Sequence, residues 1–253
     1  MICHQRIVRD KFEPELRSTH PQLFDRGIKE FSLSQEKFTK EHREFIERFE
    51  WLGTVGNSPV STFAARLDGV LAGVVLFGRA AGRTPFLAIQ RGANAPFAHQ
   101  HLSSRLIGFS LRALKKEGKW DAVIGYSDPR AGEIGTIYSA CNFQYMGDSF
   151  GAKAMYVNTA FRAIPFSPAS LRRTSILKRW YKQTYGVRLP ETWLKPNGFK
   201  DVTLVPRPIL QEWYAWGDKI IAEASKEEIP LKSKWVFHLK KVNVPVKHPK
   251  RVS

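Results

Sequence analysis

The amino-acid sequence predicts an α/β protein with a mixed, mostly antiparallel central sheet flanked by helices, and with a basic C-terminal extension or insertion. Three observations carry this prediction. Two apolar runs are joined by Asp68-Gly69, later strand-like runs alternate with segments of helical spacing, and Pro, Lys and Arg become frequent beyond Asn158. The order hairpin, strand, helix, strand, helix, strand is typical of a mixed sheet with crossover helices.

The first elements follow from local signals. Residues 1–34 read as a polar, poorly patterned lead-in. Ser34 is the expected N-cap of a helix from Gln35 to about Trp51, because Ser accepts a hydrogen bond from the first helical turn. Strands are expected over 61–66 and 70–78, since Asp-Gly between two apolar runs is a strong hairpin signal.

The rest of the predicted core, which spans 35–157, continues the alternation. A strand over 86–90 runs into a turn at 91–96, and a helix with apolar residues from Leu102 onward ends at Gly118. Region 158–253 is predicted to be a basic, aromatic-rich DNA-binding region. The remaining expected elements are a strand at 122–126, a short helix at 135–141, a strand at 143–147, helices at 170–185 and 208–225, and a final strand at 235–239.

Composition narrows the function classes. The chain has 40 Lys and Arg against 23 Asp and Glu, a formal charge of +17. Residues 160–253 hold 19 of the basic and 7 of the acidic residues, a surplus of 12. Such an excess indicates a polyanionic partner, although a solvated basic surface would have the same composition. No apolar run is long enough for a membrane span, no secretory signal is visible, and two cysteines suit a reducing cytoplasm.

Two junctions between strands and helices contain the candidate site residues. The first is 90–95, where a Gly92-containing turn before a helix would expose backbone N–H groups to phosphate. An ordinary turn with Gly92 at positive φ is the alternative. At the second, Tyr126, Ser127 and Asp128 end a strand, where open α/β folds bind ligands.

Tyr138 follows the second junction on a short helix. Its phenol could protonate a leaving thiolate or alcohol, and Asp128 could accept a proton from an attacking amine. The alternatives are equally simple, because a Tyr beside Ile137 is often a core residue and Asp before Pro129 is a common opening of a turn.

A resemblance to a known family favours the catalytic interpretation of Asp128 and Tyr138 over the structural one. Residues 137–143 resemble the LYxxxGF signature of the GNAT acetyltransferase superfamily, with Asn142 where that superfamily usually has Gly. Segments 126–128, 135–143 and 145–147 resemble the Mom family of phage DNA-modification proteins more specifically. Segments 50–54, 91–93 and 232–237 also look like members of that family, and the resemblance is patchy across 161–231.

The resemblance implies a GNAT-like fold and transfer of a methylcarbamoyl group to the exocyclic amine of adenine in DNA, protecting the DNA from restriction. It places Tyr126, Ser127, Asp128 and Tyr138 at the reaction centre. It implies acetyl-CoA or a related acyl donor held by a second set of residues. That set is Arg91, Gly92, Ala93, Asn94, Ser103, Ser104 and Asn142.

Iron is also implied by the resemblance. His99 and His101 could offer two imidazoles, but carboxylate partners at fixed spacing are not evident. Histidines near the start of a helix more often cap it or contact phosphate, so no metal ligand is assigned.

The predicted nucleic-acid contacts lie between residues 172 and 188, a segment with six basic and no acidic residues. Basic side chains neutralise phosphates and aromatic faces stack on bases. The same helix could instead bury its aromatics and leave its charges solvated. The candidates for double-stranded DNA are Arg172, Arg173, Lys178, Arg179, Trp180 and Lys182.

Two other functions remain compatible with the sequence. The first is an acyl-CoA-dependent N-acetyltransferase acting on RNA, a protein or a small amine, since a fold does not fix a function. The second is a non-catalytic DNA-binding protein with a degenerate acyltransferase fold.

Overall fold

The computed structural model describes residues 3–55, 59–80, 85–150, 154–194 and 204–240. The chain divides into two compact units. The first comprises Met1–Gly151 and Leu231–Ser253, and the second comprises Ala152–Pro230. The chain therefore leaves the first unit, forms the second and then returns.

The N-terminal segment is more regular than the sequence suggested. Helix α1 covers His4–Thr19, and short 3₁₀ turns follow at Pro21–Leu23 and Ile28–Glu30. The prediction of an unpatterned lead-in over 1–34 is therefore wrong. Val8 of α1 is buried, and Phe12 and Leu16 pack against the same core, so positions four apart form an apolar stripe.

The predicted N-cap at Ser34 is also wrong. Ser34 lies in strand β1, Ser32–Glu36, and helix α2 begins later, at Lys40–Phe49. Thr39 is the N-cap, and its backbone N–H donates to His42 Nδ1 at 3.1 Å. Pairing of β1 with the next strand outweighs the local helix signal over 35–39.

The hairpin prediction is confirmed. Strands β2 (Ser61–Leu67) and β3 (Val70–Arg79) pair antiparallel around Asp68 and Gly69. These two residues have φ values of 47° and 81°, as the tight turn of a two-residue hairpin requires.

Strand β4, Phe86–Asn94, is longer than predicted. Arg91–Asn94 do not form a turn, because they pair with β3 from Leu76 back to Gly73. The predicted turn at 91–96 is therefore wrong over 91–94, and Gly92 has no positive φ, so the alternative of an ordinary turn with Gly92 at positive φ is wrong as well. Helix α3, Leu102–Glu117, begins only after a further seven residues, and Gly118 ends it in the left-handed conformation.

The remaining elements follow in chain order. Strand β5 is Ala122–Ser127, helix α4 is Thr136–Ala140, and strand β6 is Gln144–Phe150. The second unit contains β7 (Ala154–Asn158), β8 (Arg162–Phe166), α5 (Pro168–Leu171), α6 (Thr174–Tyr185), α7 (Arg207–Ala222) and β9 (Ser225–Glu228). A 3₁₀ turn at Glu191–Trp193 also belongs to the second unit, and another at Pro129–Ala131 belongs to the first. Strand β10, Lys232–His238, then returns to the first unit.

The first unit contains a seven-stranded sheet in the order β1-β2-β3-β4-β5-β10-β6. Every neighbouring pair is antiparallel except β4 and β5, which are parallel. Helix α3 packs against β1 to β4, and α2 packs against β3 and β4. The predicted α/β class, with a mixed, mostly antiparallel sheet flanked by helices, is confirmed.

The second unit has its own small sheet, in the order β8-β7-β9, and its own apolar cluster. Leu177 and Trp180 of α6 are buried there with Leu210 and Trp213 of α7. The amphipathic spacing of α6 is thus used to bury its aromatic and aliphatic face.

Candidate active site

A cleft opens where the two parallel strands stop pairing. β4 and β5 are joined only over Phe86–Ala88 and Ala122–Ile124, although both strands continue. The ends of β4 and β5 that no longer pair with each other line a cavity of about 720 Å³, which is within the usual range for small-molecule sites. Residues from α1, the segment after α2, α3, α4 and β10 complete the lining.

Asp128 lies in this cleft and is held by two cations. It is 3% exposed, and Lys232 Nζ lies 2.7 Å from its Oδ2. Arg130 binds the same carboxylate with its backbone N–H at 3.0 Å and its guanidinium at 3.1 Å. Burial opposes ionisation, but the hydrogen bonds from Arg130 and Lys232 outweigh it and lower the Asp128 pKa. Asp128 is therefore an anchored anion.

Glu133 is the carboxyl group in the cleft whose properties suit a base. Its Oε2 accepts the Asp128 backbone N–H at 3.0 Å. Burial raises the Glu133 pKa, and the negative charges of Asp128 and Glu50 raise it further. Sequence reasoning did not single out Glu133, because its burial depends on segments far apart in the chain.

Glu50 is a second carboxyl in the cleft lining. Its Oε2 accepts the Leu52 N–H at 2.8 Å and lies 3.8 Å from Arg91 Nε. Burial raises its pKa despite the opposing charge of Arg91. The resemblance had drawn attention to the segment that contains Glu50, but had given this residue no role.

Tyr138 is buried against β5 and β10, with its ring in the cleft lining. It is 8% exposed, and its Oη lies 3.4 Å from the Tyr126 carbonyl, a long hydrogen bond. The ring stacks on Trp235 with centroids 6.0 Å apart. Burial raises the pKa of Tyr138, so the phenol is protonated and can act only as a donor of a proton near neutral pH.

Ser127 and Tyr126 differ in accessibility. Ser127 is fully buried, and its Oγ accepts the indole N–H of Trp235 at 3.1 Å. Tyr126 is partly exposed at the cleft. The structure thus brings together the four predicted catalytic residues, with Ser127 in a supporting position behind the surface of the cleft.

Apart from Lys232, Trp235 and the α1 residues at the cleft, the residues of this site lie within one stretch of sequence. Residues 38–162 match the Mom protein family. The predicted resemblance to Mom is confirmed over this stretch. Among curated proteins, none matches the chain significantly.

Several solved acetyltransferase structures are similar to about half of the chain. The IAA acetyltransferase from Bacillus cereus is 15% identical, with 53% of this chain and 93% of that chain covered and a TM-score of 0.38. The ribosomal-protein-S18-alanine N-acetyltransferase from Escherichia coli is 10% identical, covering 48% and 85%, with a TM-score of 0.39. A Bacillus subtilis acetyltransferase in complex with CoA is 15% identical, covering 47% and 80%, with a TM-score of 0.36.

The residues predicted to hold the donor do not all reach the cleft of the Mom-matched region. Arg91, Gly92, Ala93, Asn94 and Ser103 line it, and Asn94 donates a hydrogen bond to the Ser103 hydroxyl. Ser104 and Asn142 are absent from this lining. Ser104 bonds back to the His101 carbonyl.

Asn142 has a local structural role instead. It is exposed and has a φ of 59°, two residues after the end of α4 at Ala140. Left-handed backbone favours Gly and, after it, Asn, which accounts for Asn142 at a position where the superfamily signature has Gly.

Iron does not fit the residues that the structure describes. His99 and His101 contact each other with ring centroids 5.4 Å apart, but neither lines the cleft. Within the described ranges, no group of three or more His, Cys, Asp or Glu side chains could hold a metal ion. His101 is instead the residue that precedes α3, and its backbone N–H donates to His99 Nδ1.

The predicted nucleic-acid residues lie on α6 and in the link between α5 and α6, and they differ in exposure. Trp180 is 4% exposed in the core of the second unit, so its predicted role as a stacking surface does not fit its position. Arg173, Lys178, Arg179 and Lys182 are exposed. Arg172 is half-buried, pairs with Asp218 at 3.3 Å and stacks on Tyr214. No helix of the described chain is long and apolar enough to cross a membrane.

Proposed function

We propose that this protein transfers an acyl-type group, such as methylcarbamoyl, from an activated donor to the exocyclic amine of adenine in DNA. One observation carries the proposal: the cleft of the Mom-matched region places a carboxyl with a raised pKa, Glu133, near a buried, protonated phenol, Tyr138. Acyl transfer to an amine needs a base and an acid of this kind.

In the proposed reaction the amine nitrogen attacks the carbonyl carbon of the donor, and the Glu133 carboxylate accepts the proton that the nitrogen loses. Tyr138 donates its proton to the leaving group as the bond to the carbonyl carbon breaks. The Tyr138 Oη–Tyr126 carbonyl hydrogen bond is long, at 3.4 Å, so the hydroxyl can exchange it for a hydrogen bond to that group. Proton transfer back from Glu133 to the phenolate, through solvent, restores both residues.

Asp128 has a different task in this scheme. Its two oxygens already bind Arg130 and Lys232, and its low pKa makes it a weaker base than Glu133. Asp128 positions the segment that carries Glu133, because the Asp128 backbone N–H donates to the Glu133 carboxylate. Fixing the base in this way supplies part of the rate through orientation.

The donor would lie along β4, where Arg91, Asn94 and the Ser103 hydroxyl of α3 face the cleft. An acyl-CoA or a similar activated acyl compound is the proposed class. The exposed cations of α6 are the proposed contacts to DNA phosphates, supported by the formal charge of +17.

The test is mass spectrometry of nucleosides from plasmid DNA of cells that express the protein. Wild type should give a heavier deoxyadenosine whose mass identifies the added group. Glu133→Gln and Tyr138→Phe should each reduce the modified fraction by about 100-fold or more, because each removes one proton-transfer group. Glu227→Gln, on exposed β9, is the matched control and should behave as wild type. Unmodified DNA from well-expressed wild type would contradict the proposal.

A further inference from the structure

One apolar side chain stands out at the mouth of the cleft. Ile134 is 82% exposed, more than any other large apolar residue in the described part of the chain. It also lines the cleft, and it follows Glu133 directly. A single exposed apolar residue is ordinary by itself, so its surroundings decide whether it has a role.

The backbone on both sides of Ile134 has a defined conformation. Gly132 and Gly135 have φ values of 70° and 82°, a conformation that other residues rarely adopt. Gly135 also lies against Trp235, so that an added Cβ would come within 2.7 Å of the indole nitrogen. On the other side, the Glu133 N–H donates to the Asp128 carbonyl at 3.2 Å.

The side chain itself is stiff. Ile branches at Cβ, which restricts rotation about χ1, so this tip loses little freedom on insertion into a confined space. Ile134 is therefore a preformed apolar side chain next to Glu133, the base of the proposed reaction.

Two partly exposed cations lie beside Asp128, close in the chain or in the cleft to Ile134. Arg130 and Lys232 both bind the Asp128 carboxylate, at 3.1 and 2.7 Å. Both side chains are partly exposed, at 25% and 31%. These two side chains are the proposed contacts for phosphates on either side of a target nucleotide.

We propose that Ile134 enters the base stack of duplex DNA and takes the place of the adenine that turns into the cleft. The inference rests on the proposed function, because a paired adenine must leave the helix before its amine can reach Glu133. Apolar side chains that separate base steps are a common way to achieve this in DNA-binding proteins.

The experiment uses clarified lysates of expressing cells, which contain the donor, and two synthetic duplexes. In one duplex the adenines pair with thymine, and in the other each adenine lies opposite an abasic site. Nucleosides are then measured by mass spectrometry. Ile134→Ala is compared with wild type, with Ile134→Leu and with Ile7→Ala, which removes the same atoms from a 51% exposed position on α1.

The expected result is a loss of about tenfold or more for Ile134→Ala on the paired duplex and little change on the abasic duplex, because the unpaired base is already free to leave the stack. Ile134→Leu should recover most of the loss. Equal activity of Ile134→Ala and wild type on both duplexes, or an equal loss on both, would overturn the role of Ile134. No modification of either duplex by wild type would instead overturn the proposed function, and the inference with it.

Discussion

Gly125→Ala is a direct test of the position of Tyr138. Gly125 lies on β5, opposite Trp235 of β10. The Tyr138 ring occupies the place where a side chain would be, so that an added Cβ would lie 2.7 Å from its Cζ and 2.9 Å from its Cδ1, with Cε1 nearer still. Gly125 has no positive φ, so the substitution adds a steric conflict without backbone strain.

The size of the effect follows from these distances. Ordinary contact begins at about 3.4 Å, so the ring must move by about 1 Å. Overpacking of this kind destabilises a protein by about 1–3 kcal/mol. A 1 Å displacement of a catalytic group can reduce the rate by about 100-fold. We therefore expect a modest loss of stability together with a large loss of modification.

The control is Gly108→Ala, within α3. An added Cβ there meets only the flexible Arg112 guanidinium, at 3.5 Å. Ala favours a helix over Gly by about 1 kcal/mol, so this variant should be at least as stable as wild type.

The assays for both glycine variants are urea denaturation for the free energy of unfolding and nucleoside mass spectrometry for modification. Wild-type values in both assays for Gly125→Ala would refute the described packing of Tyr138 and the role given to its phenol.

Three further predictions concern charged groups. A base must be deprotonated and burial raises the Glu133 pKa, so kcat/KM of the wild type should fall as the pH drops through that raised value. Glu133→Gln should show low activity without this pH dependence. A pH profile of Glu133→Gln equal to that of the wild type would exclude Glu133 as the base. Asp128→Asn should destabilise the fold at pH 7 by about 1–3 kcal/mol, measured by urea denaturation, since its cationic partners remain partly exposed. Folding lowers the Asp128 pKa, so this stabilisation is complete above the ordinary Asp pKa of about 3.9 and is lost as the pH falls through the pKa of the folded state. Equal stability of Asp128→Asn and wild type at pH 7 would contradict this prediction. Arg179→Gln and Lys182→Gln should each reduce the slope of log binding constant against log salt for duplex DNA by about one unit, in fluorescence anisotropy, and an unchanged slope would remove that residue from the interface.

Elements set by local signals could be predicted from the sequence. The β2–β3 hairpin depends on Asp68-Gly69, whose residues tolerate positive φ. The end of α3 depends on Gly118, which adopts the left-handed conformation that ends many helices. In both cases the residues that decide the structure are adjacent in the chain.

Elements whose structure depends on partners distant in the chain could not be predicted from the sequence. Arg91–Asn94 contain Gly and Asn and resemble a turn, yet pairing with β3 makes them a strand. Ser34 resembles a helix cap, yet pairing with β2 places it in β1. Register with another strand determines both, and sequence spacing does not reveal register.

The site residues also divide into those that local sequence signals predict and those that depend on distant contacts. Asp128 and Tyr138 were found because they follow a strand and lie in a recognisable signature. Glu133 was missed, because its raised pKa comes from burial and from the charges of Asp128 and Glu50. Trp180 was misplaced for a related reason. A Trp within a basic segment can face either solvent or core, and only the packing of α6 and α7 decides.

The late position of β10 in the chain has a consequence for synthesis. This strand lies between β5 and β6, and its Trp235 reaches Ser127, 108 residues earlier. A ribosome that has made the whole of β6 has therefore not yet made the strand that β5 and β6 need on their facing edges. Closure across so long a separation is slow, and unpaired strand edges invite misassociation. The nascent protein should acquire its complete cleft only after Lys232–His238 have emerged, which confines activity to chains that have been translated beyond this strand.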